Sequence, residues 1–225
     1  MIKFRHLPII CFAFTMSACA GHHMALTKGQ SGIDLTKKSI ALLSIKVSNQ
    51  HKPNYQLDLT GVKICPQGET CSRPLPYFHK AGAPYKSEKD RFNEFLLSFG
   101  LESGTYNLQW IGSTYQGPLV TGFGGIPVYA KIDVKPNTII YLGHLEVVLR
   151  ERKNDTEKRA GKVIPVLDQS VPGFSTGTFD VIVEDKFDED MQAFIKEYPA
   201  LQKVKVEKSI LPQWIRPENN PLISN

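Results

Sequence analysis

The stretch that decides the fold is Ile139-Ile140-Tyr141-Leu142-Gly143-His144-Leu145-Glu146-Val147-Val148-Leu149. Large apolar side chains recur in it at a spacing of two: Ile139, Tyr141, Leu145, Val147 and Leu149. That spacing is typical of a β-strand with one buried face. The pattern therefore predicts a long strand whose other face carries His144 and Glu146, and His144 is expected to be an exposed strand residue.

Further strands are predicted on both sides of this stretch. Residues 39–47 are rich in Ile, Leu and Val, and apolar alternation occurs at residues 57–64, 95–99, 106–110, 128–134 and 179–183. At Gly61 the alternation shifts by one residue, which is typical of a β-bulge. Glu102-Ser103-Gly104 is a tight-turn sequence, so the strands on either side of it are predicted to pair as a hairpin.

A glycine-rich segment interrupts this pattern at residues 112–127. Its composition predicts a flexible loop. It is not a dinucleotide-binding fingerprint, because the glycine spacing and the strand-to-helix context are both wrong. A loop that contacts a ligand stays an alternative, since the aromatic side chains of Tyr115 and Phe123 would otherwise be exposed to solvent.

The C-terminal part of the chain contains one predicted helix. Its apolar face is formed by residues at helical spacing: Met191, Phe194, Ile195 and Tyr198. Asp188 is the expected N-cap, and Pro199 ends the helix. Before the helix, the charged segment 150–162 is expected to be a solvated hairpin tip, followed by a return strand at 162–167.

Carboxylates cluster at the start of that helix. They are Glu184, Asp185, Asp188, Glu189 and Asp190. Closely spaced carboxylates can hold calcium, but this run lacks the central glycine of a calcium loop. Acidic residues in a first helical turn also offset the positive end of the helix dipole. A capping role is therefore preferred, and no metal and no cofactor are predicted.

These elements together predict a mainly β protein, an antiparallel β-sandwich with one short C-terminal helix. The sandwich domain is expected to span residues 39–211. Residues 212–225 are rich in proline and asparagine, which predicts an extended C-terminal tail with Trp214 docked on the domain. Residues 19–38 are polar and lack apolar periodicity, which is typical of a flexible tether.

The first 18 residues have the features of a cleavable signal peptide. Lys3 and Arg5 precede an uncharged apolar run, and the small residues Ser17 and Ala18 follow it. A membrane span needs roughly 20 apolar residues, so this run is too short. Without Lys3 and Arg5 the formal net charge falls from +5 to +3. That weak basicity does not favour a nucleic-acid partner.

Met16-Ser17-Ala18-Cys19 resembles a lipobox, the cleavage motif of bacterial lipoproteins, with Met16 where leucine is usual. The resemblance implies cleavage before Cys19 and acylation of that cysteine, with the membrane as a partner through the lipid. Ala20 is not the aspartate that retains lipoproteins in the inner membrane. In a Gram-negative cell the resemblance therefore implies the outer membrane. The alternative is an ordinary signal peptide that ends beside a cysteine.

Cys65 and Cys71 remain once Cys11 leaves with the signal peptide and Cys19 takes the lipid. Compartments outside the cytoplasm are oxidising, so a disulfide between these two cysteines is expected. A redox or zinc site with His79 is the alternative. It is less favoured because the spacing is not C-x-x-C and there is no second cysteine pair.

One string matches a catalytic motif. Gly173-Phe174-Ser175-Thr176-Gly177 fits the G-x-S-x-G nucleophile elbow, which requires a strand before the serine and a helix after it. Here the string precedes a predicted strand, and the last histidine of the chain, His144, lies before it. The string is interpreted as a loop, and the chain as non-enzymatic.

Two further stretches carry a resemblance to a family. Ser103-Gly104-Thr105-Tyr106-Asn107-Leu108 and Lys135-Pro136-Asn137-Thr138-Ile139-Ile140-Tyr141-Leu142-Gly143 resemble the strand-entry motifs of uncharacterised DUF2846-like β-sandwich lipoproteins. The segment that contains them covers about a quarter of the chain. The resemblance implies a small β-sandwich in the cell envelope and assigns no catalytic residues.

Three hypotheses about function follow. The leading one is a non-catalytic, membrane-anchored envelope lipoprotein that binds or supports another envelope component, expected to be a protein. The second is a carbohydrate- or peptidoglycan-binding module, which expects Tyr115, Phe123 and Trp214 to be exposed on one face. The third is an enzyme, which expects a concave polar pocket that contains His144 or clustered carboxylates.

Overall fold

The computed structural model describes residues 24–68, 75–77, 85–86, 91–164 and 167–217. Within these ranges the strands are β1 (Ser39–Asn49), β2 (Asp58–Pro66), β3 (Leu75–Tyr77), β4 (Tyr85–Lys86), β5 (Phe92–Leu101), β6 (Gly104–Gln116), β7 (Thr121–Val134), β8 (Ile139–Glu151), β9 (Gly177–Glu184) and β10 (Val206–Lys208). A helix, α1 (Phe187–Glu197), and a 3₁₀ helix (Pro199–Lys203) lie between β9 and β10.

The strands form two sheets that share one apolar core. The six-stranded sheet has the order β10-β8-β1-β5-β4, with β9 also paired to β8, and the four-stranded sheet has the order β3-β2-β6-β7. Buried side chains from both sheets make up the core between them. The predicted mainly β sandwich with one short C-terminal helix is confirmed. Most pairs are antiparallel, but β8 pairs in parallel with both β1 and β10.

The predicted hairpin around Glu102-Ser103-Gly104 is wrong. β5 pairs with β1 and β4, whereas β6 pairs with β2 and β7. The chain therefore crosses from one sheet to the other at this turn. Both strands still send alternate apolar side chains into the shared core, as Phe95 and Leu108 do, so a tight turn between two alternating segments fits either arrangement.

The loop predicted at residues 112–127 is also wrong, because most of this segment is the antiparallel pair of β6 and β7. Phe174 is fully buried against this pair. A Cβ atom on Gly124 would lie 2.5 Å from the Phe174 ring, and one on Gly122 would overlap the same ring. The glycines are therefore required for close packing of an aromatic ring on a strand.

The charged segment after β8 differs from its prediction. The antiparallel partner of β8 is β9, and the expected return strand is absent from the described part of 162–167, where Ile164 and Leu167 form only an isolated bridge. Arg150 holds the segment instead, with ion pairs to Glu157 at 2.6 Å and Asp180 at 2.7 Å.

Residues 24–38, the described part of the predicted tether, lie against the domain. Leu26 is buried in an apolar cluster, and its backbone N–H donates to Ser98 Oγ at 3.0 Å. Lys28 Nζ lies 2.7 Å from a carboxylate oxygen of Glu197. The flexible tether is thus wrong for this part and stays a prediction for residues 19–23, which lie outside the described ranges.

The helix α1 confirms the predicted apolar face, with Met191, Phe194 and Tyr198 buried. The predicted N-cap is wrong: Lys186 occupies that position without a side-chain cap, and Asp188 lies in the first turn. Neither helical segment in the described ranges combines the length and the apolar content that a membrane crossing requires.

Among the register shifts of the described strands, two bear on the predicted strand faces. The bulge predicted at Gly61 is confirmed, since the β2–β6 register shifts between Leu59 and Gly61. A second one lies at Gly143, whose φ of 116° is left-handed, and it shifts the β1–β8 register between Tyr141 and His144. The single apolar stripe predicted for β8 is therefore wrong. Tyr141 belongs to the cluster under α1, and Leu145 belongs to the core between the sheets.

Candidate functional site

A cleft opens between α1 and the outer face of the six-stranded sheet. Its volume is about 540 Å³. The sheet contributes Ser44, Lys46 and His144 to the lining, and α1 contributes Asp190 and Ala193. We call this space the α1 cleft. Volumes of roughly 300–1,000 Å³ are usual for small-molecule sites, so the cleft has the size of a binding site.

Four polar side chains form a hydrogen-bonded group that we call the His144 cluster: Ser44, His144 and Asp190, which line the α1 cleft, and Tyr141, which bonds to Asp190. All four are buried. The Tyr141 hydroxyl donates to Asp190 Oδ2 at 2.5 Å. His144 Nδ1 lies 3.2 Å from Asp190 Oδ1 and 3.2 Å from Ser44 Oγ. Buried polar groups are stable only when they are hydrogen-bonded, and this network satisfies most of them.

Backbone geometry explains why these side chains meet. The bulge at Gly143 adds one residue to β8, so Tyr141 and His144 point to the same face although they are three positions apart. His144 is directly beside Ser44 in the parallel register of β1 and β8. Asp190 lies one helical turn before Phe194, on the buried face of α1.

The electrostatics of the cluster favour a protonated tyrosine. Burial, followed by the hydrogen bond to Asp190, raises the pKa of Tyr141 well above the ordinary tyrosine value. The hydroxyl is therefore a permanent donor that fixes one oxygen of the Asp190 carboxylate. The other oxygen is left for His144.

Ion pairs surround the cluster. Lys46 Nζ lies 3.3 Å from Glu146, and Lys186 Nζ lies 2.8 Å from Glu184. The contact with Lys186 is the main reason why the pKa of Glu184 lies below its ordinary value, and it raises the pKa of Lys186. In the described ranges no three histidine, cysteine or acidic side chains are grouped as a metal ion would require.

The contacts of His144 differ from those of a serine–histidine–aspartate relay. In such a relay the serine bonds to one ring nitrogen and the aspartate to the other, so that a proton can pass through the ring. Here Ser44 and Asp190 both contact Nδ1. The arrangement therefore differs from that relay, because the ring is not placed between the serine and the carboxylate.

Sequence reasoning placed two members of the cluster incorrectly. The prediction of an exposed His144 is wrong: the residue is 5% exposed, because α1 covers this part of the sheet. The prediction that Asp190 serves the helix dipole is incomplete. Asp190 does lie in the first turn, but its side chain is buried toward β8. Two signals point to the cluster: a glycine inside a strand pattern at Gly143, and the position of Asp190 four residues before Phe194.

The three aromatic residues predicted as ligand contacts do not form one surface. Tyr115 is half-buried and packs edge-to-face on Tyr55, with ring centroids 5.1 Å apart. Phe123 is 46% exposed. Phe123 pairs with Thr114 across β6 and β7, and neighbouring residues on a strand point to opposite faces. Phe123 and Tyr115 therefore lie on opposite faces of the sheet. Trp214 is half-buried, and its Nε1–H donates to the Pro127 carbonyl at 2.7 Å, as docking of the tail predicted.

A different pair of aromatic residues lies on the outer face of the four-stranded sheet. Trp110 is 36% exposed, and its ring leans over Gly112 and Gly125. Phe123 lies on the same face, two residues along β7 from Gly125. We call Trp110 and Phe123 the outer aromatic pair.

The remaining predicted residues have varied outcomes. Cys65 is buried at the end of β2, whereas Cys19, Cys71 and His79 lie outside the described residues, so lipidation and the disulfide stay predictions. Ser175 lies in turns that lead into β9 and is not followed by a helix. The interpretation of that string as a loop is confirmed.

Comparison with protein-family models, with curated proteins and with solved structures finds no match to this chain. The likeness to the DUF2846-like lipoproteins and to the lipobox therefore has only the support of the motif residues themselves.

Proposed function

We propose that this protein is a lipid-anchored protein of the bacterial cell envelope that binds a small polar component of the envelope in the α1 cleft. The observation that carries this proposal is the cleft itself, about 540 Å³ of space with three residues of the buried His144 cluster in its lining. Polar groups converging in a concave space are the usual features of a ligand site.

The location rests on the sequence. A basic head, a short apolar run and the lipobox-like Met16-Ser17-Ala18-Cys19 support acylation at Cys19 and attachment to the envelope. Ala20 favours the outer membrane in a Gram-negative cell. The domain would then lie close to the membrane surface, because residues 24–38 are packed on it and leave only a short connection to Cys19.

The contacts at His144 support binding without chemical conversion. Ser44 and Asp190 share the same ring nitrogen, so the cluster holds the ring in place and does not form the serine–histidine–aspartate relay of hydrolases. An enzyme that used the concave pocket would need a nucleophile and a base within hydrogen-bond reach of each other in the required order.

The α1 cleft can be blocked with a single substitution. Ala193 is exposed on α1 and lines the cleft, so Ala193→Trp fills it from the helix side. Asp188→Trp is the matched control, because Asp188 is exposed on the same helix and does not line the cleft. Native mass spectrometry on lipoprotein purified from the cells that make it is the assay.

We expect a small non-covalent ligand on the wild type and on Asp188→Trp, and its loss from Ala193→Trp. A ligand retained by Ala193→Trp would place binding elsewhere on the protein and overturn the proposal. The proposal would also fail if no ligand were found on any of the three, even after incubation with an extract of envelope metabolites.

The outer aromatic pair favours carbohydrate binding as a second candidate function. Exposed aromatic faces stack on sugar rings, and Trp110 and Phe123 lie on one open sheet face. Pull-down with purified peptidoglycan is the test. Trp110→Ala should reduce retention, whereas Ile182→Ala, an exposed apolar control on β9 of the other sheet, should not. Equal retention of both variants would exclude this surface.

A further inference from the structure

A small notch lies beside the C-terminal tail and shares no lining residue with the α1 cleft. Pro127 of β7 and Trp214 of the tail are among the residues that line it. Three cationic side chains also line it, Lys158, Arg159 and Arg216, whereas no carboxylate from the described ranges does. We call this space the Lys158 notch. A concave space that is lined by charges of one sign attracts ligands of the opposite sign.

The carboxylates that adjoin these cations are already paired. Glu157 accepts two hydrogen bonds from the Arg150 guanidinium, at 2.6 and 2.9 Å. Asp180 accepts a third from Arg150 at 2.7 Å and also contacts Arg216. The two carboxylates are therefore occupied by arginines and do not neutralise the remaining cations of the notch.

Lys158 is a cation without a partner. Its side chain is half-buried, its amino nitrogen stays accessible to solvent, and no ion pair or hydrogen bond joins it to a described residue. Burial lowers the pKa of Lys158 from the ordinary lysine value, and no carboxylate offsets that effect. Arg159 is fixed beside it, because its Nη1 donates to the Ser175 carbonyl. The other guanidinium N–H groups of Arg159 are left for a ligand.

Thr178 adds a hydrogen-bond donor to the notch. Its side chain is buried in the lining, and its Oγ1 accepts from Arg216 Nη1 at 3.0 Å. The hydroxyl hydrogen of Thr178 is donated to no residue of the described part of the chain, so it can be donated to a ligand. The tail is held in place, because Trp214 Nε1–H donates to the Pro127 carbonyl at 2.7 Å and Arg216 lies over the Trp214 ring. The donors are thus in position before a ligand binds.

We propose that the Lys158 notch binds the carboxylate of a small acid or of a peptide terminus. The enclosed volume is about 10 Å³, which is room for about one water-sized group. One oxygen of a flat carboxylate fits this space and accepts from Lys158 Nζ and the Thr178 hydroxyl, while the outer oxygen accepts from Arg159. A tetrahedral phosphate, whose oxygens spread in three directions, fits it less well. The site is independent of the α1 cleft and goes beyond the function proposed for it.

The experiment is a titration of the full lipidated protein in a nonionic detergent and a buffer without carboxylate or phosphate. NMR of the lysine ε-methylene groups follows the binding and the pKa of Lys158. The probes are N-acetylalanine, its neutral amide, acetate and inorganic phosphate. Lys158→Gln removes the unpaired charge. Lys162→Gln is the matched control, because it makes the same charge change in the same segment at an exposed position outside the notch.

We expect N-acetylalanine to raise the pKa of Lys158 and to bind about tenfold or more tightly than its amide. Lys158→Gln should weaken the binding by about tenfold or more, and Lys162→Gln should leave it unchanged. Acetate separates the two sources of the carboxylate. Equal binding of acetate and N-acetylalanine supports a small acid, and tighter binding of N-acetylalanine supports a peptide terminus.

Four results would overturn the proposal. Equal binding of the amide would mean that the charge is not recognised, and tighter binding of phosphate would replace the carboxylate with another ligand class. Equal weakening in both variants would indicate a general attraction to a basic surface. A pKa of Lys158 that does not change with saturating N-acetylalanine would refute the site in the wild type alone, even if Lys158→Gln failed to fold. None of these results bears on ligand binding in the α1 cleft.

Discussion

A single methyl group at Gly122 is expected to destabilise the sandwich. Alanine normally stabilises a strand interior relative to glycine by about 0.5–1 kcal/mol, because glycine loses more freedom on folding. At Gly122, however, an added Cβ would lie 2.8 Å from Pro172 Cγ and closer still to the buried ring of Phe174. Overpacking of this kind typically costs about 1–3 kcal/mol. The overlap with the ring places the cost in the upper part of that range, so the net loss of unfolding free energy in Gly122→Ala should be about 1–2 kcal/mol.

Urea denaturation measures this loss, and a neighbouring glycine gives the control. Gly125 lies on the same strand, but a Cβ there would meet nothing closer than 4.0 Å. Gly125→Ala should leave stability unchanged or raise it slightly. Replacing the ring with a smaller side chain in Phe174→Leu should relieve the clash. The double mutant Gly122→Ala/Phe174→Leu should therefore be more stable, by about 1 kcal/mol, than the sum of the two single effects predicts. If Gly122→Ala is as stable as the wild type, the close packing of Phe174 does not explain why this strand has glycine.

Other consequences concern hydrogen bonds, charge and anchoring. Tyr141→Phe removes the donor to Asp190 and should lower the unfolding free energy by about 1–3 kcal/mol in urea denaturation; unchanged stability would contradict the network. Arg150 lowers the pKa of Glu157 to about 2 from its ordinary 4.5, so Glu157 contributes stability above pH 4.5 that is lost as the pH falls toward 2. The stability difference between the wild type and Glu157→Gln should shrink across that window, and a constant difference would count against the ion pair. Cys19→Ala should abolish acylation, seen by mass spectrometry of the mature protein, and release it from the membrane fraction; membrane retention would contradict the anchor.

The strands were predictable because their signal is local. Alternation of apolar and polar residues in β5 and β9 follows from one buried face, and the Ile, Leu and Val content of β1 and β8 follows from burial of both faces under α1 and in the core. Neither pattern depends on which strand lies alongside. The partner of each strand does depend on the rest of the chain. The turn after Leu101 has the sequence of a hairpin turn, but it connects the two sheets. The strands were therefore predicted correctly and their partners were not.

Glycines account for two errors in the predicted strands, each for a different reason. In β7, Gly122 and Gly124 make room for Phe174, which lies about 50 residues further along the chain. No residue close to these glycines in the sequence indicates that an aromatic ring will pack against them. In β8, Gly143 marks a bulge by the same rule that identified the one at Gly61. Applying the rule there would have placed Tyr141 and His144 on one face.

The candidate site was the least predictable part. Ser44 is separated from His144 by 100 residues, and His144 from Asp190 by 46. Their meeting depends on the parallel register of β1 and β8 and on where α1 packs. Each residue alone has a plainer interpretation: a strand serine, an exposed strand histidine and a carboxylate in a first helical turn.

An experimental electron-density map of the lipoprotein, purified from the cells that make it, tests the central claim most directly. We expect density for a small molecule in the α1 cleft, in contact with the side chains that line it. Ala193→Trp, purified in the same way, should lack that density. A cleft that holds only water in the wild type, or an α1 that closes onto Ser44 and His144 and leaves no space, would contradict the claim.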